Sequence, residues 1–527
     1  MTRPPLPVGF GLRLDGTVRR YRGGAVLAGG RPRRVVRLTP AGARAVDALL
    51  AGADVGAAAR ALGRRLVDAG IAHPVPPAPG PGPASPSRGA PPASDVTVVV
   101  PVRDRPAELA RCLASLGGDA PVLVVDDGSR DPAAIAAVVR AGGARLVRRA
   151  RSGGPAVARN DGLARVRTPV VAFVDSDCEA PPRWIDPLLA HLADPEVAAV
   201  APRVRGVAGP GAAGRWAAAR SPLDLGPRPG AVAPGRPCAY VPTAALVVRM
   251  AALVGIAGPS GAPFDPALRH GEDVDLVWRL HDAGHVVRYE PTVVVGHHEP
   301  SRWRPFLRRR FDYGASAGPL ARRHGARLAP AVLPPGALLP TVALVAGRPR
   351  LAAAGLVVRT ALVGRRLARA GAPPHVAPAW AAHGAWQAAD GACRATTMLA
   401  PLPLVGALAL RAAAVALRRG PDPARTGPRR GSASAGPRLR RGAGSDPAGG
   451  RPRWPVRAAR IVGVLAVTRW ARARADGATG GLDPIRWTLA GLVDDAAYGA
   501  GVWVGAVRAR APRALLPTLG RAPGGRS

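Results

Sequence analysis

Residues 170–177 read VVAFVDSD, five apolar residues followed by two carboxylates one position apart. An uninterrupted apolar run of this length predicts a strand that is buried on both faces of a parallel sheet. Ligands of open α/β sheets bind in the crevice outside the carboxyl ends of the strands. We expect Asp175 and Asp177 there, where their hard oxygen atoms suit Mg²⁺ or Mn²⁺ carrying a diphosphate. From this motif alone, a solvated strand end is an equal alternative.

The VVAFV strand closes a series of alternating strands and helices. Two more strands are predicted upstream, at residues 96–100 and 122–125, and the motifs PVRDR and DDGS follow them. Three predicted helices lie between the strands and span residues 106–116, 132–141 and 155–166. This alternation predicts βαβ units. The polar residues after the three strands are therefore expected on one rim of the sheet.

Five ordered motifs carry a resemblance to a known family: VVVPVRDR, VLVVDDGSRD, GGPAVARNDGLA, VVAFVDSDCE and GEDVDLVWRL. In order and spacing they resemble the family-2 glycosyltransferases with the GT-A fold, over roughly residues 95–298. The resemblance implies an α/β, Rossmann-like catalytic domain with a mostly parallel sheet at residues 95–300. It also implies a nucleotide-sugar donor and a divalent cation, Mg²⁺ or Mn²⁺.

The same resemblance implies roles for individual residues. The nucleotide-sugar-binding residues would be Pro101, Arg103, Asp127, Asn160 and Asp175, with the first three at the base and the last two nearer the ribose. Asp177, with Asp175 and His298, would bind the metal ion. For the histidine, a structural or solvent-exposed role is an equal alternative.

The motif GEDVDLVWRL, residues 271–280, predicts a helix with acidic residues in its first turn. Taken alone, these acids are explained by their favourable interaction with the helix macrodipole. The family resemblance instead makes Asp273 the general base that takes the proton of the acceptor hydroxyl, with Glu272 beside it. Nothing in the sequence suggests a nucleophile for a covalent, retaining route.

Residues 1–73 predict a separate small unit of short strands and two helices, at residues 41–51 and 55–69. The unit resembles winged-helix domains and the PqqD-like peptide-binding modules of ribosomal-peptide maturation systems. A packing domain without a ligand is an equal alternative. Nine of the twenty-one residues from 74 to 94 are proline, which predicts an extended linker.

The bulk composition restricts the possible partners. The formal net charge is +40, and every positive charge is arginine, in a sequence also rich in Ala, Gly and Pro. We interpret this mainly as compositional bias, and aromatic residues at 4% disfavour a nucleic-acid partner. The cysteines are too far apart for a zinc site or a disulfide framework, which favours a reducing cytosol. They are Cys112, Cys178, Cys238 and Cys393. The N-terminus lacks the apolar region of a signal peptide.

The pattern changes after residue 300. An arginine- and aromatic-rich helix is followed by uncharged runs at residues 328–347 and 395–410. We expect residues 301–419 to be helical and membrane-associated, and residues 420–527 to form an Arg-rich, partly disordered tail. The catalytic domain would then lie at the cytoplasmic face of the cell membrane. A helical hairpin packed on the enzyme is the alternative.

Taken together, residues 5–410 resemble the actinobacterial glycosyltransferases of mycofactocin biosynthesis. This resemblance implies transfer of a hexose, glucose from UDP-glucose, onto a peptide-derived cofactor precursor or its growing β-glucan. The alternative is a family-2 enzyme that makes cell-envelope polysaccharide or glycolipid. The expected partners are therefore a nucleotide sugar, a peptide-derived acceptor and a membrane surface.

Overall fold

A computed structural model describes residues 3–78, 87–118, 120–258, 261–329, 332–333, 340, 343, 348–399, 466–477 and 479–519. The strands are β1 (Gly11–Leu14), β2 (Arg19–Tyr21), β3 (Val26–Gly29), β4 (Arg34–Arg37), β5 (Ala72–Val75), β6 (Val96–Val102), β7 (Val122–Asp126), β8 (Arg145–Arg148), β9 (Val170–Val174), β10 (Cys178–Glu179), β11 (Val197–Val207), β12 (Gly230–Val232), β13 (Ala245–Arg249), β14 (Val286–His298), β15 (Val332–Leu333) and β16 (Thr518–Leu519).

The α-helices are α1 (Pro40–Leu50), α2 (Ala57–Asp68), α3 (Pro106–Leu116), α4 (Pro132–Ala141), α5 (Pro155–Leu163), α6 (Asp186–His191), α7 (Gly211–Ala219), α8 (Met250–Gly255), α9 (Glu272–Asp282), α10 (Trp303–Ala315), α11 (Ala317–His324), α12 (Pro349–Arg369), α13 (Ala377–Leu399) and α14 (Pro484–Arg508). Residues 466–475 are also helical. Short 3-10 turns lie at Arg22–Gly24, Ala93–Asp95, Gly325–Leu328, Pro374–Val376 and Pro512–Leu515.

The central sheet has the strand order β10-β14-β11-β13-β9-β6-β7-β8, and β12 pairs with β14. Strands β9, β6, β7 and β8 are parallel, as are β11 and β14, whereas β13 is antiparallel to both of its neighbours. The α/β architecture is confirmed. The described sheet is mixed but mostly parallel, because six of its nine strands run in one direction and only β10, β12 and β13 run against them. Because β13 is antiparallel to both β9 and β11, these two strands run in the same direction. The carboxyl ends of β9, β11 and β14 therefore reach the same edge.

Strand β9 is buried along its whole length, as its apolar run predicts. Val170, Ala172 and Val174 face one core, together with helices α3, α4 and α6. Val171 and Phe173 face the other core, with helices α5, α8 and α9. Since side chains alternate across a strand, both faces must be apolar when helices cover both sides.

Local sequence signals set several helix starts. Proline occupies the first turn of helices α1, α3, α4 and α5, where its fixed φ fits and its missing N–H is not needed. Thr39 and Asp131 act as N-caps and accept hydrogen bonds from Gly42 N (3.1 Å) and Ala134 N (3.0 Å). The predicted helices 106–116 and 132–141 coincide with α3 and α4 for this reason.

The N-terminal unit contains the antiparallel pair β1–β5, the antiparallel sheet β2–β3–β4, and helices α1 and α2. It is docked on the catalytic domain through a bidentate ion pair, in which Arg64 lies 2.7 and 2.9 Å from the two oxygens of Asp194. Both side chains are almost fully buried. Residues 74–75 of the predicted linker belong to β5, and residues 79–86 lie outside the described residues. The likeness to winged-helix or PqqD-like modules stays a prediction.

Helices after residue 300 pack on the catalytic domain and on one another. Helix α14 crosses α10 and α11 at glycines: a Cβ atom on Gly501 or Gly505 would meet backbone atoms of Phe311 or Ala315. Arg310 of α10 forms an ion pair with Asp494 of α14. Within the described residues, no helix combines the length and apolar character needed to cross a bilayer.

The predicted boundaries in this half of the chain remain predictions. Most of the uncharged runs 328–347 and 395–410 lies outside the described residues, as do residues 420–465 of the predicted tail. The described part of that tail contains the helical residues 466–475 and helix α14.

Candidate active site

The two carboxylates of the DSD motif lie at the carboxyl end of β9. Asp175 is half-buried, and its backbone N–H donates to the Ala244 carbonyl oxygen at 3.0 Å. Asp177 is 7% exposed and lies beside two arginines and a histidine: Arg105 Nη1 at 2.5 Å, His297 Nε2 at 3.5 Å and Arg309 Nη2 at 3.9 Å. Burial alone would raise the pKa of Asp177, but these neighbours hold it below its usual value.

The structure places His297, not His298, beside Asp177. His297 is buried, and its Nδ1 lies 3.1 Å from Glu299 Oε1. Burial lowers the pKa of His297, but Asp177 and Glu299 outweigh burial and raise it above its usual value. His298 lies instead with its Nε2 2.6 Å from Glu179 Oε1. Consecutive strand residues point to opposite faces, so only one of the pair can reach Asp177.

The donor types at this edge fit a divalent cation that is shared with a diphosphate. Asp175, Asp177 and His297 offer carboxylate and imidazole ligands, and Mg²⁺ typically takes one or two carboxylates and completes its shell with phosphates and water. One oxygen of Asp175 accepts from Arg159, which leaves the other available. Among the described residues, no group of three or more His, Cys, Asp or Glu side chains is arranged to hold a metal ion by itself.

The predicted nucleoside rim is formed by the ends of β6 and β7. Asp127 is buried and accepts hydrogen bonds from Gly153 N and Gly154 N (both 2.8 Å) and from Ser152 Oγ (2.7 Å). Arg103 is exposed, and its Nη1 donates to the same Ser152 hydroxyl at 3.0 Å. Asp127 therefore fixes the loop before α5 against the end of β7.

Pro101 and Asn160 are held by the fold itself. Pro101 lies within β6, in register with Val125 of β7. The Asn160 amide is engaged on both sides, since Nδ2 donates to the Phe264 carbonyl oxygen (2.7 Å) and Oδ1 accepts from Phe264 N (3.0 Å). These two bonds position the segment that precedes α9.

Arg159 is a central residue that the sequence analysis missed. It is 3% exposed and donates at 2.7 Å both to Asp175 Oδ1 and to Glu272 Oε1. Burial lowers the pKa of Arg159, but Asp175 and Glu272 more than offset this and raise it. The residue stands next to Asn160 in the GGPAVARNDGLA motif. The chain contains 74 arginines, so residue type alone gave no signal.

Asp273 lies in the first turn of α9 and is half-buried. Burial, and then the charge of Glu272, raise the pKa of Asp273 to about 7. A carboxylate with a pKa near the working pH is well suited to general base catalysis. Through Arg159, the acidic start of α9 is connected to the DSD carboxylates.

Three comparisons place these features among known proteins. The family model for glycosyl transferase family 2 matches residues 97–251. Two proteins named pre-mycofactocin glycosyltransferase, from Mycobacterium tuberculosis strains CDC 1551 / Oshkosh and ATCC 25618 / H37Rv, are each 37% identical to this chain over 533 residues. The alignments cover 98% of this chain and 100% of the relatives.

Two solved structures show a more distant likeness. The S. aureus TarS 1–349 crystal structure is 18% identical with a TM-score of 0.33, covering 43% of this chain and 64% of that one. The crystal structure of GalNAc-T7 with UDP, GalNAc and Mn²⁺ is also 18% identical, with a TM-score of 0.31 and coverage of 42% and 47%.

Proposed function

Because the chain belongs to the family of the pre-mycofactocin glycosyltransferases, within glycosyl transferase family 2, we propose that it transfers glucose from UDP-glucose with inversion at the anomeric carbon. The acceptor in this proposal is the peptide-derived mycofactocin precursor, or the β-glucan that grows on it. Arg159 carries the proposal, because it connects Asp175 on the donor side to Glu272 beside the base.

The donor would lie along the edge formed by β6, β7 and β9. Arg103 and the backbone near Pro101 would contact the uracil, with Asp127 holding the rim in shape. The Asp175 side chain is 30% exposed, so its carboxylate could contact the ribose and the diphosphate. Arg105 and Arg309, beside Asp177, add positive charge where the leaving diphosphate develops negative charge.

We further propose that a divalent cation, Mg²⁺ or Mn²⁺, is bound by Asp177, Asp175 and His297, the last in place of His298. Such an ion would supply Lewis-acid stabilisation of the leaving diphosphate. The cations beside Asp177 keep its carboxylate ionised, which is the form that binds metal.

The base in this proposal is Asp273, which accepts the proton of the acceptor hydroxyl as the new glycosidic bond forms. Inversion requires that the base lies on the face opposite the leaving group, so the acceptor must approach from the side of α9. Glu272 is held by Arg159 and would orient the acceptor.

The remaining parts of the chain are assigned supporting roles. The N-terminal unit would bind the peptide-derived acceptor, and the helices after residue 300 would place the enzyme at the cytoplasmic face of the membrane. Helix α12 exposes Leu351, Val357, Val358 and Leu362, which favours contact with an apolar environment. Sedimentation of the full chain with membranes tests the location, and a chain that stays in the supernatant contradicts it.

Product mass analysis tests the central proposal. The purified full chain is incubated with UDP-glucose and with other nucleotide sugars, and either pre-mycofactocin or an envelope lipid acceptor is added. We expect one or more hexose units on pre-mycofactocin with UDP-glucose alone. Hexose transfer to the lipid acceptor only would instead support an enzyme of envelope synthesis.

Removal of the metal tests the proposed cation site. Asp177→Asn removes a charged ligand, so we expect a strong loss of Mn²⁺-dependent UDP binding and of turnover. His297→Gln should also lose Mn²⁺-dependent UDP binding and turnover. His298→Gln is the matched control and should keep both. Full activity of the wild type in EDTA would contradict the metal assignment.

A further inference from the structure

A cavity of about 330 Å³ lies between helices α7, α13 and α14 and the helical residues 466–475. We call it the tryptophan cavity, because its described lining includes Trp216, Trp386 and Trp487, three of the ten tryptophans of the chain. Aromatic residues make up only 4% of the sequence, so this concentration is unusual. The described lining shares no residue with the candidate active site. The tryptophan cavity is therefore a second concave site, made almost entirely by helices outside the central sheet.

The three tryptophans are held in place by their neighbours. Trp216 is 1% exposed and Trp487 is 6% exposed, and their rings meet edge to face with centroids 4.7 Å apart. Trp386 is half-buried, and the guanidinium carbon of Arg472 lies 4.2 Å from the centroid of its ring. Large aromatic rings offer flat apolar surface at a small cost in conformational entropy. The cavity thus presents preformed aromatic surface to a ligand.

Two buried N–H groups in the lining have no acceptor. Neither Trp216 Nε1 nor Arg220 Nε has a hydrogen-bond partner in the described part of the chain. The Arg220 guanidinium carbon lies 5.9 Å from the ring centroids of both Trp216 and Trp487, so these donors share one part of the lining. Buried donors without a partner are unfavourable and uncommon in folded proteins. A ligand with hydroxyl oxygen atoms would supply the missing acceptors.

The charges of the described lining are nearly balanced, with four arginines and three aspartates. Asp390 is paired with Arg394 at 3.2 Å and with Arg469 at 2.6 Å. Asp495 accepts a hydrogen bond from Thr397 Oγ1 at 2.6 Å and has no arginine or histidine nitrogen within 4.0 Å among the described residues. A carboxylate has room for several donors, so Asp495 can accept more. The lining therefore favours a neutral ligand that both donates and accepts hydrogen bonds.

We propose that the tryptophan cavity binds a neutral saccharide. A sugar hydroxyl can accept from Trp216 and Arg220 and donate to Asp495, because a hydroxyl is both a donor and an acceptor. When the hydroxyls of a sugar ring are equatorial, as in glucose, its two faces carry C–H groups and can pack on an indole ring. The volume lies at the lower end of the range for ligand sites, which suits a monosaccharide or disaccharide unit. The inference rests on the proposed function for the origin of the saccharide, which would be the glucan that grows on the acceptor.

Binding of two small probes to the full chain tests this inference without turnover. Cellobiose, a β-linked glucose disaccharide, and Gly-Tyr amide are titrated separately by calorimetry, in the presence of UDP to occupy the proposed donor site. We expect cellobiose to bind more tightly than the dipeptide amide. If the dipeptide amide binds at least as tightly as cellobiose, the cavity is a peptide site and the proposal is overturned. Absence of cellobiose binding contradicts the proposal as well.

Variants locate the bound disaccharide. Trp386→Ala removes aromatic surface, so we expect the affinity for cellobiose to fall roughly tenfold or more. Asp495→Asn removes the charge of the acceptor and should weaken binding by a smaller factor. The matched control is Trp380→Ala, because Trp380 is also half-buried on α13 but lies outside the lining of the cavity.

UDP binding shows which variants are folded. If Trp386→Ala loses UDP binding, Asp495→Asn decides in its place. Cellobiose affinity that is the same in the cavity variants as in Trp380→Ala contradicts the inference, because the disaccharide would then be bound elsewhere.

The two proposals can fail separately. If cellobiose binding depends on Trp386 but no hexose is transferred to pre-mycofactocin, the saccharide site stands and the assigned reaction is wrong. If hexose transfer occurs and cellobiose does not bind, the proposed function stands and the tryptophan cavity is not a saccharide site.

Discussion

At the scale of single residues, the candidate site depends on how buried charges are paired. Arg159 forms ion pairs with both Asp175 and Glu272, whereas Asp273, one residue further along α9, has no cation within ion-pair distance among the described residues. Burial and the charge of Glu272 therefore act on Asp273 with little compensation. The result is two adjacent acids in different surroundings: Glu272 is held by Arg159, whereas the raised pKa of Asp273 lets it take up a proton near neutral pH.

Asp273→Asn tests the base. General base catalysis typically contributes roughly 10²–10⁴-fold, so we expect kcat to fall by about that factor while UDP affinity stays close to the wild-type value. In the wild type, kcat/KM should rise with pH through about 7, because Asp273 must be ionised to act. If the asparagine variant turns over normally and keeps the wild-type pH dependence, Asp273 is not the base and acts only as a charge at the start of the helix.

The same residue predicts an unusual dependence of stability on pH. The pKa of Asp273 is raised in the folded chain, so the folded state binds a proton more tightly than the unfolded state. Its contribution to stability therefore falls as the pH rises from about 4 to about 7. Thermal unfolding should show Asp273→Asn to be more stable than the wild type at pH 8 and equally stable near pH 4. A constant difference across this range would contradict the raised pKa.

At the scale of elements, the helices after residue 300 pack closely because glycine residues, which have no side chain, lie at their contacts. Glycines on α14 face backbone atoms of α10 so closely that no Cβ atom fits at Gly501. Because α10 and α14 approach closely, Arg310 of α10 forms an ion pair with Asp494 of α14. The neighbouring residue of α10, Arg309, lies beside Asp177. Helix α14 is thus coupled to the candidate metal edge through α10.

Alanine substitutions in α14 test this packing. A Cβ atom at Gly501 would overlap Phe311 O, so we expect Gly501→Ala to destabilise the protein by about 1–3 kcal/mol. Gly491 is the matched control, because its Cβ would meet Trp216 at an ordinary 3.5 Å. Gly491→Ala should be neutral or gain up to about 1 kcal/mol from helix propensity. Equal melting temperatures for the two variants would mean that α14 is not packed as described.

At the scale of the whole molecule, the N-terminal unit is a fixed part of the enzyme's surface. Arg64 and Asp194 lie 130 positions apart and are both almost fully buried at the contact of the unit with the catalytic domain. Val26 and Ala28 of the unit pack against Leu367 and Ala377 on its other side. The unit is held on two sides, so its position relative to the catalytic domain is defined.

Breaking the Arg64–Asp194 pair should be costly. Arg64→Met leaves the Asp194 carboxylate buried without its partner, and we expect a loss of about 3–5 kcal/mol in chemical unfolding of the full chain. The double variant with Asp194→Asn should recover a substantial part of this loss. Arg3→Met removes two half-buried pairs, with Asp68 at 3.3 Å and with Glu196 at 3.5 Å, and should cost clearly less, about 1 kcal/mol. Additive effects of the two substitutions would show that the pair is not coupled.

The sequence by itself determined the local elements and the identity of the enzyme. Apolar runs, proline at helix starts and capping residues act over a few positions, so β9, α3 and α4 could be predicted without any knowledge of the fold. The ordered motifs were sufficient to indicate family-2 glycosyltransferases, and the placement of Asp175 and Asp177 at a strand end followed from the apolar run before them.

Only the tertiary structure decided which distant residues meet. Arg159 contacts Glu272 across 113 positions, and no local pattern distinguishes it from the other 73 arginines. His297 rather than His298 lies beside Asp177 because of the face that β14 presents to Asp177. The sheet is mixed because β13 pairs between β9 and β11 in the antiparallel direction. Each of these features results from long-range pairing of strands and helices, whereas periodicity and capping report only on the residues next to them.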